Sequence, residues 1–215
     1  MNSTVKVFSL GVMVGLSMYG NAITAGTANS GECDPFTCNQ SSTTVGQSID
    51  WQQVYSSALF GSSPYTISTI QFPDIYISTH GSALVPPAVA GPVIAGDYLI
   101  SFAYTFDTVG SLSTNMATNI TSGETTFFSG PLATAWTLSG GLVVSGTPFL
   151  YNPTVGNLLI DIVATNQPHV PNFSGNGYLD DDTTGSVMSS AFDITGFSKG
   201  TTPIGLVANT ILFHV

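Results

Sequence analysis

Arginine is absent from the sequence and lysine occurs only twice, so the chain carries very little positive charge. Twelve acidic residues oppose these lysines and give a formal net charge of −10 at pH 7. Nucleic-acid binding depends on clustered Lys and Arg side chains that displace counterions from phosphates. Anionic membrane surfaces attract the same kind of basic cluster. We therefore expect neither a nucleic acid nor an anionic lipid surface as a partner.

Charged residues of both signs make up only 7% of the chain, yet the composition is not that of a disordered protein. Disordered segments combine low hydrophobicity with high net charge, whereas 43% of these residues are hydrophobic and 11% are aromatic. The 26 Ser, 27 Thr and 23 Gly residues leave hydroxyl and amide groups, rather than ions, to interact with water. The composition predicts a folded chain with a hydroxyl-rich surface.

The first residues match a secretory signal peptide rather than a transmembrane helix. Lys6 precedes an uncharged apolar stretch at 7–19, and small residues follow at Gly20 and Ala22. Thirteen residues at about 1.5 Å per residue reach ~20 Å, short of the ~30 Å hydrocarbon core of a bilayer. This order of charged, apolar and small residues predicts export and cleavage after Ala22. We expect no stable membrane span after cleavage.

Removal of residues 1–22 leaves about 190 residues, which suits one domain of sandwich or barrel size. Residues 23–47 contain Ala, Gly, Thr, Ser and Asn with few large apolar side chains. We expect a flexible N-terminal arm there. Residues 48–215 are expected to form the single folded domain.

Only two cysteines occur, Cys33 and Cys38, and four residues separate them within the expected arm. An exported location would oxidise such a pair to a disulfide, which is the interpretation that we favour. A metal or redox pair is the alternative. The spacing differs from the two-residue redox motif, and no second Cys or His pair lies nearby to complete a metal site.

Helical spacing of apolar residues is also missing, and the clearest periodicity is that of a β-strand. Tyr98, Ile100, Phe102, Tyr104 and Phe106 occupy every second position, with the small or polar Ser101, Ala103 and Thr105 between them, which places the five on one face of a strand that packs against a second sheet. Short β-rich segments between Gly and Pro residues predict an all-β fold, an antiparallel β-sandwich of jelly-roll-like type. A strand or short helical turn is predicted at 51–60, and further strands at 65–72, 75–77, 125–128, 135–138, 141–144, 157–164, 187–194 and 205–215.

The residues offer weak support for an enzyme. A catalytic serine would need a partner among His80, His169 and His214, and no Gly-x-Ser-x-Gly elbow occurs. A glycosidase needs two carboxyl groups placed across a cleft. The candidates for such a pair are Asp97, Asp107, Glu124, Asp161 and Asp193. The alternative interpretation is that these scattered carboxylates lie in turns and on solvated strand faces.

One segment gathers oxygen-bearing side chains of the kind that calcium prefers. Residues 172–185 include three adjacent aspartates, and calcium takes six to eight oxygen ligands. Asp180 and Asp182 are therefore candidate calcium ligands. The EF-hand spacing is missing, and a solvated turn is the alternative interpretation. No other cofactor is expected.

Aromatic side chains could bind sugar rings by stacking if they were exposed. Most aromatic residues of a β-protein lie in the core instead, and the sequence alone does not place each ring on a face. The candidate rings are Trp51, Tyr76, Trp136, Tyr151 and Tyr178.

Four segments, at 51–60, 98–101, 128–132 and 148–162, together resemble secreted bacterial proteins of the PEP-CTERM type, whose members mostly have unknown function. The segment at 148–162 is the most specific, and Tyr151-Asn152-Pro153 before Gly156-Asn157 is also typical of a turn that begins a strand. The resemblance implies an exported β-sandwich associated with exopolysaccharide or biofilm matrix, and it carries over no catalytic residue. The family's Pro-Glu-Pro motif, final helix and terminal arginines are missing, so we expect release rather than anchorage.

Together, the leader, the hydroxyl-rich composition and the resemblance favour a secreted, extracellular, non-enzymatic matrix or interaction protein that binds polysaccharide. The alternative hypothesis is a secreted hydrolase that acts on glycans, which requires two carboxyl groups within about 10 Å across a cleft.

Overall fold

The structure, a computed structural model, is built mostly of β-strands in antiparallel sheets with little helix, which confirms the predicted all-β class. Residues 1–21 of the predicted signal peptide lie outside the described residues. The structure describes residues 22–26, 30–32, 36, 48–72, 74–77, 84–85, 93–94, 96–132, 134–135, 142–166, 177–181, 187–194, 198–201 and 211–214.

Sixteen strands occur within the described residues, together with a 3-10 helix at Ser57–Phe60 and a short helix α1 at Met116–Asn119. The strands are β1 (Ala22–Ala25), β2 (Ser30–Glu32), β3 (Ile49–Tyr55), β4 (Tyr65–Phe72), β5 (Asp74–Ile77), β6 (Leu84–Val85), β7 (Val93–Ile94), β8 (Asp97–Thr105), β9 (Ser122–Pro131), β10 (Thr134–Ala135), β11 (Leu142–Tyr151), β12 (Asn157–Thr165), β13 (Gly177–Asp181), β14 (Met188–Ile194), β15 (Ser198–Thr201) and β16 (Ile211–His214).

A six-stranded sheet with the order β15-β14-β3-β12-β8-β9 is the largest in the described chain. The predicted alternation is visible in β8, where Tyr98, Ile100 and Phe102 are buried and Tyr104 is partly buried against the same core. Phe106 departs from the prediction. Because β8 ends at Thr105, the Phe106 ring follows the strand and is 69% exposed.

A four-stranded sheet has the order β1-β16-β4-β11, and two smaller sheets have the orders β2-β13-β5-β6 and β10-β7. The pairing of β11 with β4 shifts register between Ser145 and Phe149. This bulge lies next to β9, where a Cβ atom at Gly146 would overlap the Phe127 carbonyl oxygen. A side chain at this position would collide with backbone, so the close approach of β11 to β9 requires glycine.

Aromatic ring contacts connect the two larger sheets within the main core. Phe102 of β8 stacks on Phe149 of β11 with ring centroids 5.2 Å apart. Tyr55 of β3 meets the ring of Phe213 of β16 edge-on at 5.1 Å. Such pairs contribute about 0.5–1.5 kcal/mol each beyond the burial of their area.

Part of the expected N-terminal arm contributes to this core. Ala25 and Phe36 have no exposed surface, and β1 pairs with β16. The centroid of the Phe36 ring lies 4.9 Å from that of Phe72 and 5.6 Å from that of Tyr98. Two of the few apolar residues in 23–47 are therefore packed in the core, and the composition of the segment does not identify them.

Candidate functional site

The six-stranded sheet has a second face, opposite the main core, and half of it is covered by residues 106–121. We call this face the outer face and residues 106–121 the covering segment. A small apolar cluster forms beneath the covering segment, with side chains that are buried or partly buried. Its members are Val54, Ala103, Leu159 and Ala191 of the sheet, and Leu112, Met116 and Ile120 of the covering segment.

Asn119 attaches the covering segment to the sheet. Its side chain has no exposed surface, and Nδ2 donates to Gln52 Oε1 at 2.8 Å and to the Ser113 carbonyl oxygen at 2.9 Å. Asn119 Oδ1 accepts from the Ser113 backbone N–H at 2.8 Å. A further bond runs from the Gly110 N–H to Ser189 Oγ of β14 at 2.7 Å. These bonds satisfy polar groups that would otherwise be buried without partners.

The other half of the outer face carries carboxyl groups from three neighbouring strands, and we call it the acidic half. Asp50 of β3 lies directly opposite Asp193 of β14. Asp161 of β12 lies opposite Gln52, which makes it a diagonal neighbour of Asp50 on the same face. The side chains of Asp50 and Asp161 are hydrogen-bonded to each other.

The surroundings of this pair raise both of its pKa values. Burial is the main cause of the rise in the pKa of Asp161 to about 7; the charge of Asp50, the hydrogen bond from Asp161 to Asp50 and the charge of Glu124 add to it. Burial also raises the pKa of Asp50, and the charge of Asp193 adds to that rise. The hydrogen bond with Asp161 lowers the pKa of Asp50 and so opposes part of this rise.

Three buried polar atoms in the acidic half have no hydrogen-bond partner among the described residues. They are Asp50 Oδ1, Asp161 Oδ1 and Gln52 Nε2. The Gln52 amide nevertheless lies close enough to Asp161 to favour its charged form. Buried polar groups without partners are unusual in folded proteins and cost free energy. Among the described residues, the acidic half therefore combines buried polar atoms that lack hydrogen-bond partners with neighbouring carboxyl groups whose negative charges repel each other.

The spacing of the pair limits its chemistry. Glycoside hydrolases hold their two carboxyl groups about 5–5.5 Å or 6.5–9.5 Å apart, with the scissile bond or a water between them. Two carboxyl groups that are hydrogen-bonded to each other are closer than either spacing. In the described part of the chain, no group of three His, Cys, Asp or Glu side chains is arranged to hold a metal ion.

The structure brings together some of the carboxylates that the sequence suggested. Asp161 and Asp193 lie in the acidic half, with Glu124 near enough to act on Asp161 by its charge. Asp97 is exposed and accepts from Asn166 Nδ2 at 2.8 Å. Asp107 interacts with Thr105, whose Oγ1 accepts from the Asp107 N–H at 3.0 Å.

Sequence reasoning missed Asp50, the hydrogen-bonded partner of Asp161. A signal was present, since Asp50 and Gln52 alternate with Ile49 and Trp51 at the start of β3. That pattern marks Asp50 as an outer-face residue. Nothing in it indicates that β12, more than a hundred positions later, brings Asp161 beside it.

The remaining predicted site residues fall mostly outside the described residues. Cys33, Cys38 and Asp182 lie outside them, and so do His80 and His169. Asp180 lies in β13, opposite Gly31 of β2, where the sequence had suggested a calcium-binding loop. His214 is the last residue of β16.

Two of the aromatic residues considered for sugar stacking lie in the core. Trp51 is 3% exposed, and its ring stacks on Phe192 at 5.9 Å. Tyr151 has no exposed surface, and burial raises its pKa. Because both rings are buried in the core, as most aromatic residues of a β-protein are, neither is accessible to stack on a sugar. Tyr76 lies in β5 and Tyr178 in β13, and Trp136 is outside the described residues.

None of the helices within the described residues is both long enough and apolar enough to cross a membrane. No protein-family model, curated protein or solved structure matches the chain.

Proposed function

We propose that this chain is a secreted, non-enzymatic extracellular matrix or interaction protein that binds a neutral polysaccharide on the four-stranded sheet. The observation that carries the proposal is the composition of that sheet's outer face. Among the residues of this sheet whose side chains the structure describes, the exposed ones carry hydroxyl and aliphatic groups and no carboxylate. A neutral, polyhydroxylated ligand is recognised by hydrogen bonds and apolar contacts rather than by ion pairs.

Two rows of residues cross the four strands in register. One row runs from Ala22 through His214 and Thr69 to Ser145, and the other from Thr24 through Leu212 and Gln71 to Val143. In the first row, Thr69 Oγ1 and Ser145 Oγ are 3.1 Å apart and hydrogen-bonded at the surface. Farther along, Leu150 is 65% exposed opposite Thr66. The exposed side chains of Thr24, Ser145, Val143 and Leu150 thus offer both polar and aliphatic contacts on this sheet.

The proposal includes a jelly-roll-like sandwich in which the two larger sheets stack on each other. The ring contacts of Phe102 with Phe149 and of Tyr55 with Phe213 support this stacking. In a sandwich, each sheet turns one face to the core and the other to solvent. The four-stranded sheet would then present its rows of Thr, Ser, Gln and Val to the ligand.

Secretion is part of the same proposal. It is supported by the order of charged, apolar and small residues at the start of the chain. The resemblance of four segments to secreted PEP-CTERM-type proteins supports a role in an extracellular matrix. The scarcity of basic residues is consistent with a neutral ligand rather than a polyanion.

Retention on insoluble neutral polysaccharides and on an isolated extracellular matrix fraction tests this function. We expect the purified protein to be retained and the double variant Thr66→Glu, Ser145→Glu to lose retention about tenfold or more, which corresponds to about 1.4 kcal/mol. Ser62→Glu, in the exposed turn before β4, is the matched control and should bind like the unmodified protein. If neither polysaccharides nor the matrix fraction retain the unmodified protein, the binding function is wrong.

The gathering of carboxyl groups in the acidic half favours a second candidate, a secreted hydrolase that acts on glycans. The spacing of the Asp50 and Asp161 carboxyl groups argues against this candidate, because the two groups are closer together than the glycosidase mechanisms require. A reducing-end assay on the same polysaccharides decides between the two. Hydrolysis that disappears in Asp161→Asn would support the hydrolase, whereas binding without hydrolysis would support the matrix role.

A further inference from the structure

One buried side chain connects the acidic half of the outer face to the covering segment. Gln52 has no exposed surface. Its Oε1 accepts the hydrogen bond from Asn119 of the covering segment at 2.8 Å. Its Nε2 lies beside Asp161 and favours the charged form of that carboxyl group. A change at Asp161 therefore acts on the same amide that holds Asn119.

The pair itself is built to hold a proton. Asp50 and Asp161 come from adjacent strands, share a hydrogen bond and each leave one buried oxygen without a partner among the described residues. Two carboxylates in contact repel each other unless one is protonated. Further negative charge comes from Asp193 on β14 and Glu124 on β9.

Among the described residues, the other elements near the pair carry Asp97, Asp107 and Lys199, and the first two are bonded to other side chains. β8 places Ser101 opposite Asp161, and Asp97 at the start of β8 is bonded to Asn166. Asp107 of the covering segment is bonded to Thr105. On the far side of β14, Lys199 of β15 lies opposite Asp193.

We propose that Asp50 and Asp161 form a proton-binding switch that makes the attachment of the covering segment to the six-stranded sheet depend on pH. The proposal is independent of polysaccharide binding, because it concerns the opposite sheet.

The direction of the pH dependence follows from the raised pKa of Asp161. A carboxyl group whose pKa is raised on folding stabilises the folded state most when both states are protonated, below the ordinary aspartate value. That stabilisation is lost as the pH rises toward the folded-state pKa of about 7. The attachment is thus strongest in acid and weakest above neutral pH.

Loss of the proton changes the contacts of Gln52. An ionised Asp161 is a strong acceptor for Gln52 Nε2, and repulsion from Asp50 turns its carboxylate toward solvent. Because the Gln52 amide is planar, rotation of its Nε2 toward the displaced Asp161 carboxylate moves its Oε1 away from Asn119. Asn119 then loses one of its two acceptors, and the covering segment opens more often.

Amide hydrogen exchange measured at about pH 5 and about pH 8, and corrected for the intrinsic exchange rate, tests the switch. The reporters are the Gly110 and Ser113 amides, which are bonded to Ser189 and Asn119. In the unmodified protein we expect their protection to fall roughly tenfold between the two pH values. In Asp161→Asn, protection should be nearly the same at both. Asp97→Asn, which alters an exposed carboxylate, is the control and should keep the fall.

An equal fall in Asp161→Asn and in the unmodified protein would overturn the proposal. Asp50→Asn removes the same repulsion from the other strand and replaces Asp161→Asn if that variant does not fold. Carboxyl NMR titration of the unmodified protein needs no variant. It supports the switch if one aspartate titrates near neutral pH, and overturns it if every aspartate titrates in the ordinary acidic range.

Discussion

The outer faces of the two larger sheets differ in charge and in cover. On the four-stranded sheet, Thr66, Val143 and Ser145 are exposed. On the six-stranded sheet, the corresponding face is half covered by residues 106–121 and half occupied by Asp50 and Asp161 with neighbouring carboxylates. Both sheets have the same strand alternation, so alternation alone does not distinguish an open face from a covered or strained one. The difference arises from which strands lie side by side.

The strongest way to test this comparison is to add one carboxylate to each face. Ser101 is 3% exposed and lies opposite Asp161. We expect Ser101→Asp to lower the free energy of unfolding by about 3–5 kcal/mol, because it buries a further negative charge beside the pair. Ser145→Asp on the open face should change it by less than about 0.5 kcal/mol. Urea denaturation at neutral pH measures both, and equal effects would contradict the assignment of the two faces.

The border between the two sheets provides the next prediction. Gly146→Ala places a methyl group against the Phe127 carbonyl oxygen, so β11 must move away from β9. We expect a loss of about 2–4 kcal/mol in the free energy of unfolding. Thr147→Ala changes the next, exposed residue of the same bulge and should cost less than about 1 kcal/mol. A thermal or urea melt of both variants is the measurement, and a neutral Gly146→Ala would show that the two strands are not in contact.

Removal of the covering segment's attachment tests the covered half alone. Asn119→Ala leaves Gln52 Oε1 and the Ser113 N–H without their partners. We expect a loss of about 2–3 kcal/mol in stability, together with faster proteolysis within residues 106–121. Thr118→Ala removes only an exposed hydroxyl bonded to the Asn115 carbonyl oxygen, and it should leave proteolysis unchanged. Equal cleavage rates in the two variants would contradict the role of Asn119.

The smallest expected effect concerns the electrostatics of the acidic half. Glu124 is exposed and raises the pKa of Asp161 by its charge. Glu124→Gln should therefore lower the pKa of Asp161 by about 0.5. Carboxyl NMR titration measures the change, with Asp97→Asn as the control that should leave Asp161 unaltered. A rise in the pKa of Asp161 would show that Glu124 does not act as described.

Much of the secondary structure was predictable because it depends on local patterns. The predicted strand at 65–72 coincides with β4, and the predicted strand at 157–164 lies within β12. The alternation at 98–106 holds through Tyr104 and ends before Phe106, since that ring follows the end of β8. Composition did not identify Phe36 as a core residue, because its burial depends on contacts with Phe72 and Tyr98, far along the chain.

By itself, the sequence determined the β class, the alternation that separates inner from outer positions, and a surface rich in hydroxyl groups. These are properties of neighbouring residues, which set the side-chain period and the local backbone preference. Only the tertiary structure decided that Asp50 meets Asp161, that Gln52 connects them to Asn119, and that Gly146 must be small. Each of these depends on strand order and register, which bring together residues that are distant in the chain and subject them to burial and to each other's charge.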